Sequence, residues 1–123
     1  MKKIKILAID DDPEFLEELK ETLWLSGYEV AVLSQNEGVL EKINAFKPNV
    51  LLLDLKMNPK SGFQIADEVR HDPQGHDVNI IAITGNFKEK EHQTLTHMCG
   101  INALITKPLN PLTLIAHIEQ VSK

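Results

Sequence analysis

Ile6-Leu7-Ala8-Ile9-Asp10-Asp11-Asp12-Pro13 is an apolar run that stops on three acids and a proline. Clustered carboxylates repel one another, and Asp is a poor strand former. A buried strand over this run therefore leaves the acids at its carboxyl end. Pro13 suits the first turn of a helix, with Asp12 as its N-cap. The stretch reads as strand, acidic edge, helix. In an α/β sheet the carboxyl edge is where ligands bind, and carboxylates gathered there suit a hard divalent cation, Mg2+ above others.

The same alternation continues outward from this stretch. Lys5 to Ile9 is the first expected strand; Phe15, Leu16, Leu19 and Leu23 then recur at helical spacing until Gly27. Tyr28 to Leu33 is a second strand, and Glu37 to Phe46 a second helix with Val39, Leu40 and Ile43 as its apolar stripe. Val50-Leu51-Leu52-Leu53 lacks polar alternation, the mark of a strand buried on both faces in a parallel sheet, and Asp54 closes it. A third helix is expected from about Phe63 to Arg70. A fourth strand runs from Val78 to Ile83, ended by Thr84 and Gly85. Glu89 to Met98 reads as a mostly polar helix, loosely packed and stopped by Gly100. Ala103 to Thr106 contains the fifth strand. Pro111 to Val121 is a last helix carrying Leu114, Ile115, Ile118 and Val121 on one face. Five strands and five helices in alternation imply a doubly wound α/β fold around a five-stranded parallel sheet.

The chain has 123 residues, enough for one domain with one core over 1–123. Its formal net charge of −5 disfavours direct nucleic-acid binding, which needs clustered Lys and Arg at the phosphates. Cys99 is the only cysteine, so no intrachain disulfide forms, and a reducing, cytoplasmic setting is expected. The apolar run after Met1-Lys2-Lys3 is cut short by Asp10, too short for a signal-peptide core or a membrane span. The chain ends fall close to predicted elements, leaving little room for tails.

The strand ends carry the chemistry: Asp10, Asp11 and Asp12 after the first, Asp54 after the third, Thr84 after the fourth and Lys107 after the fifth. In a parallel sheet these loops share one edge. Asp11 and Asp54, with a backbone carbonyl from the loop after Asp54, suit Mg2+. The ion and Lys107 then offer positive charge to an anion, and Thr84 offers a hydroxyl. A phosphoryl group, whose oxygens need neutralisation during transfer, fits that set. Asp54 is the candidate nucleophile, since carboxylates form acyl phosphates.

Over essentially its whole length the chain resembles the receiver domains of two-component response regulators, which have the flavodoxin-like topology. The segments that carry the resemblance are Ile6-Leu7-Ala8-Ile9-Asp10-Asp11-Asp12-Pro13, Leu51-Leu52-Leu53-Asp54-Leu55-Lys56-Met57 with Gly62, Ile83-Thr84-Gly85 and Thr106-Lys107-Pro108. The resemblance implies that Asp54 is the phosphoacceptor. It makes Asp11 a direct Mg2+ ligand, Asp10 a ligand through water, and Lys56 the donor of a backbone carbonyl. Thr84 becomes the switch hydroxyl, Lys107 the family's invariant-type lysine, and Lys107-Pro108 a cis bond. It also implies partners: a sensor histidine kinase or phosphotransfer protein, a downstream effector protein or domain, and room for a homodimer formed on phosphorylation. The expected output face is the surface of the fourth helix, fifth strand and fifth helix. Chemistry of this kind serves a switch rather than metabolite turnover, so the chain is not expected to be an enzyme in the ordinary sense.

Two departures from the family pattern stand out. Asn58 follows Met57 and Pro59 comes one place late, although Gly62 keeps its distance from Asp54. Leu104 stands where relatives often carry Tyr or Phe, so a switch by aromatic rotation is in doubt, and output is expected to depend more on displacement of the Glu89 to Met98 helix. The same residues admit two rivals. A degenerate receiver would be a phosphorylation-independent binding module, which the intact Asp11, Asp54, Thr84 and Lys107 set disfavours. An Asp-nucleophile phosphatase would commonly have a second Asp where Lys56 stands. His71-Asp72 and His76-Asp77 flank a Pro-Gly turn and read as solvated loop; His92, His97 and His117 lie on helices without ligand spacing. Trp24 is expected to lie partly in the core.

Overall fold

The computed structural model describes residues 3–35, 37–56, 61–73, 75, 77–85 and 100–122. Five strands, β1 (Lys5–Ile9), β2 (Glu29–Leu33), β3 (Val50–Asp54), β4 (Asn79–Thr84) and β5 (Ala103–Thr106), form one parallel sheet in the order β2-β1-β3-β4-β5. Four helices are described: α1 (Pro13–Leu25), α2 (Val39–Phe46), α3 (Gly62–His71) and α4 (Pro111–Val121). The helix expected over Glu89 to Met98 lies outside the described residues, as do Met57 to Lys60, His76, His92, His97 and Cys99. Among the described residues no helix is long and apolar enough to cross a membrane.

A parallel sheet must be covered on both faces, and the strands alternate to suit. Leu7, Ile9, Leu51, Leu53, Ile80 and Ala82 face Val39 and Ile43 of α2 and Ile65, Ala66 and Val69 of α3. Ile6, Ala8, Val50, Leu52, Ile81 and Ile83 face Leu16, Leu19 and Leu23 of α1 and Leu114 and Ile118 of α4. All five residues of β3 are buried, as its unbroken apolar run implies for the middle strand.

Helix starts carry side-chain caps at three of the four ends. Asp12 Oδ1 accepts from the Glu14 and Phe15 amides at 3.1 and 3.3 Å. Ser61 and Gln64 exchange side-chain and backbone bonds in a capping box at α3. Asn110 caps α4 just before Pro111. Helix α2 begins at Val39 rather than Glu37 because Gly38 has φ +75°, a left-handed conformation that does not continue a helix.

Trp24 departs from its expected place, with 63% of its surface exposed. Leu16, Leu19 and Leu23 already fill the buried stripe of α1. One residue further turns Trp24 about 100° around the helix, away from the sheet.

Candidate functional site

The site lies at the carboxyl edge of the sheet and is built by strand register. Ile9 pairs with Leu53, Asp54 with Ile83, and Thr84 with Thr106. Asp10 leaves β1 one residue after Ile9, while Asp54 and Thr84 end their own strands. Asp10, Asp54 and Thr84 are the buried polar residues among those described, at 2%, 5% and 3% exposure. Burying carboxylates is costly unless they find partners, so their presence here at the centre of the sheet calls for a functional account.

Asp10, Asp11 and Asp54 each offer a carboxylate oxygen, and these atoms lie within 4.8 Å of one another. Asp11 is exposed and the other two are buried. Such a group of hard oxygen donors, closed on the protein side and open toward solvent at Asp11, fits Mg2+. Burial pushes the Asp54 carboxyl above its ordinary 3.8; the Lys56 amide, which donates to Asp54 Oδ1 at 3.2 Å, pulls it down. The charge of Asp10 raises it further, Lys107 opposes, and Asp11 adds to the rise. The carboxylate at Asp54 is thus short of positive charge.

Lys107 supplies part of it. Its Nζ donates to Asp10 Oδ2 at 3.1 Å. The Lys107 amide also donates to the Thr84 carbonyl at 2.8 Å, tying the loop after β5 to the end of β4. The Lys107–Pro108 bond is cis. Asp12 stands apart from the charged group as the cap of α1, and its own amide donates to Asp10 Oδ1 at 3.0 Å. Leu104 packs on the α2 and α3 side of the sheet, among Leu53, Ala82 and their neighbours.

Gly62 is legible in the sequence only as a spacing, and its physical reason is close approach. A Cβ there would stand 2.5 Å from the Asp54 carbonyl oxygen and 2.6 Å from Leu55 Cα. Its amide donates to the Leu55 carbonyl at 3.0 Å, so α3 starts hard against the backbone that presents Asp54. Phe15 belongs by spacing to the apolar stripe of α1, yet its ring also lies 4.5 Å from the Lys107 ammonium.

An open parallel sheet with paired acids, a lysine and a buried hydroxyl at one edge defines a class of phosphoryl-handling α/β folds. The family model described as "Response regulator receiver domain" matches residues 6–119, and the chain belongs to that family. Its sheet is the flavodoxin-like fold of the chemotaxis protein CheY4 of Vibrio cholerae, with a TM-score of 0.91 at 27% identity over 98% of this chain and 99% of that one. The BeF3-activated N-terminal receiver domain of Klebsiella pneumoniae RstA has a TM-score of 0.86 at 25% identity, covering 97% of this chain and 98% of that one. The transcriptional regulatory protein CpxR of Escherichia coli is 32% identical over 95% of this chain but only 48% of its own length. The chain thus spans about half of that regulator. It is a signalling receiver homologous to two-component response regulators.

Proposed function

We propose that Asp54 accepts a phosphoryl group from the phosphohistidine of a sensor histidine kinase or phosphotransfer protein, and that residues 1–123 act together as one receiver domain in the cytoplasm. The observation that carries this reading is the buried Asp54 carboxylate within 4.8 Å of the Asp10 and Asp11 oxygens, with Lys107 tethered to Asp10. Asp54 Oδ bonds to phosphorus as the P–N bond breaks, and the bond pair leaves with the imidazole. Asp11, Asp54 and the Lys56 carbonyl, with Asp10 through water, would hold Mg2+, which would supply positive charge for the phosphoryl oxygens. Lys107 turns its ammonium to the same oxygens, and the Thr84 hydroxyl donates to one of them. Engagement of Thr84 and Lys107 biases β5, α4 and the segment between Thr84 and Gly100, the surface that an effector or a second copy of the chain reads. Hydrolysis of the acyl phosphate resets the state.

Incubation with acetyl phosphate and Mg2+, followed by intact mass, tests this reading. One phosphoryl adduct is expected on the wild type and none on Asp54→Ala or without Mg2+. An unreactive wild type, or an unchanged adduct on Asp54→Ala, sinks it. Steady turnover of many phosphomonoesters would mark a phosphatase instead.

A further inference from the structure

Four residues at the carboxyl edge form a closed circuit of contacts. The Asp12 amide donates to Asp10 Oδ1 at 3.0 Å, and Asp12 Oδ1 accepts from the Phe15 amide at 3.3 Å. The Phe15 ring lies 4.5 Å from Lys107 Nζ, which returns to Asp10 Oδ2 at 3.1 Å. Lys107 is a flexible four-carbon stem carrying a compact charge with three donors. One hydrogen bond fixes the distance of such a group and leaves its direction free. The ring face supplies the second anchor, since its negative face attracts the ammonium.

We propose that Phe15 is a positioning residue for Lys107: its ring keeps the ammonium at the acidic edge while the hydrogen bond passes from Asp10 to the phosphoryl group. The two anchors differ in the property that matters. The bond to Asp10 is directional and must be given up or shared when a new anion arrives. The contact with the ring face needs no particular N–H, so it survives rotation of the ammonium during that exchange. The N-cap of α1 sets the height of the ring, which gives Asp12 a second task beside capping. Phe15 also packs half-buried against the α1 and α4 side of the core, so loss of the ring must be separated from loss of bulk.

The role in transfer rests on Asp54 being the acceptor, and the test keeps the two apart. In the wild type, ring-current shielding moves the NMR signals of the Lys107 ε-methylene upfield; Phe15→Leu, which keeps apolar bulk, returns them to ordinary positions. Phosphorylation of Phe15→Leu by acetyl phosphate is expected to slow roughly five-fold at unchanged melting temperature, whereas Phe15→Tyr and Phe15→Trp retain the wild-type rate within about two-fold. Unshielded Lys107 signals in the wild type overturn the contact itself. A Phe15→Leu rate equal to wild type, or equal losses for Leu, Tyr and Trp, overturn the positioning role. A wild type that takes up no phosphoryl group refutes the Asp54 reading and the role in transfer with it, and is told apart from failure of Phe15 alone by the wild-type reaction.

Discussion

The two edges of the sheet are made from the same strands and treat polar groups in opposite ways. At the amino edge, Asn49, Asn102 and Arg70 pair with protein groups, and among the described residues the buried Ser122 Oγ is the exception, with no partner. Asn49 Oδ1 accepts from the Lys5 amide at 2.8 Å, and its own amide donates to the Lys5 carbonyl at 2.8 Å. Asn102 does the same for Ile80, at 2.7 and 2.8 Å. The Arg70 guanidinium donates to the Gly100 carbonyl through Nε and Nη2 at 3.0 and 2.6 Å, to the Val78 carbonyl at 2.5 Å, and to Asn102 Oδ1 at 3.0 Å. At the carboxyl edge, the buried acids Asp10 and Asp54 face one another, and Lys107 pairs with Asp10. The named amino-edge side chains are satisfied within the chain, while the carboxyl-edge acids form an oxygen cluster that fits a cation. Volume does not mark the difference: a hollow of about 780 Å3 lies at the amino edge, beside Lys5, Asn49 and Asp77, away from the chemistry.

The contrast is broken hardest at Gly62. Gly62→Ala drives a methyl group into the Asp54 and Leu55 backbone, and should cost about 3 kcal/mol in urea denaturation. It should also slow phosphorylation, because the backbone it displaces is the one that presents Asp54. At the other edge, Arg70→Met leaves the Gly100 and Val78 carbonyls without their cation and should cost about 2 kcal/mol. Phosphoryl uptake by that variant should stay near wild type; a large loss of reactivity would mean that the edges are coupled rather than divided in labour.

The smallest effect carries the opposite sign. Burial makes folded Asp54 hold its proton more tightly than the unfolded chain does. Stability is therefore lost as pH rises from the ordinary 3.8 through the raised folded value, and stays lost at neutral pH. Asp54→Asn removes the charge, so without Mg2+ it should melt slightly above the wild type at pH 7. The advantage should vanish below the ordinary value and narrow when Mg2+ is added, as read by melting curves. An Asp54→Asn variant less stable than wild type at neutral pH would show that the carboxylate is already satisfied.

The fold is legible because its strands are apolar runs, two of which, β1 and β3, stop on acids. The register of Asp10, Asp54, Thr84 and Lys107 comes from parallel pairing alone. The features that escape a linear reading depend on the third dimension. The capping box at Ser61 and Gln64 is the exception, since it has a local signal, Ser with Gln three places on, that helix spacing alone does not use. Arg70 reads as the end of a helix, because its partners at Gly100 and Asn102 lie thirty residues away. Hydrophobicity places Trp24 in the core, but helix phase has already given that place to its neighbour Leu23. Phe15 fits the stripe so well that its second neighbour, Lys107, is hidden from the sequence.

The order β2-β1-β3-β4-β5 has one more consequence. The chain leaves β1 toward β2 on one side and leaves β3 toward β4 on the other. The connections after β1 and β3 therefore part company above two adjacent strands and leave a fork between them. Any sequence wound this way has an opening there before a single acid is placed. Asp10 and Asp11 stand on one bank of the fork and Asp54 on the other, so a cation seated between them would also bridge the point where the winding reverses.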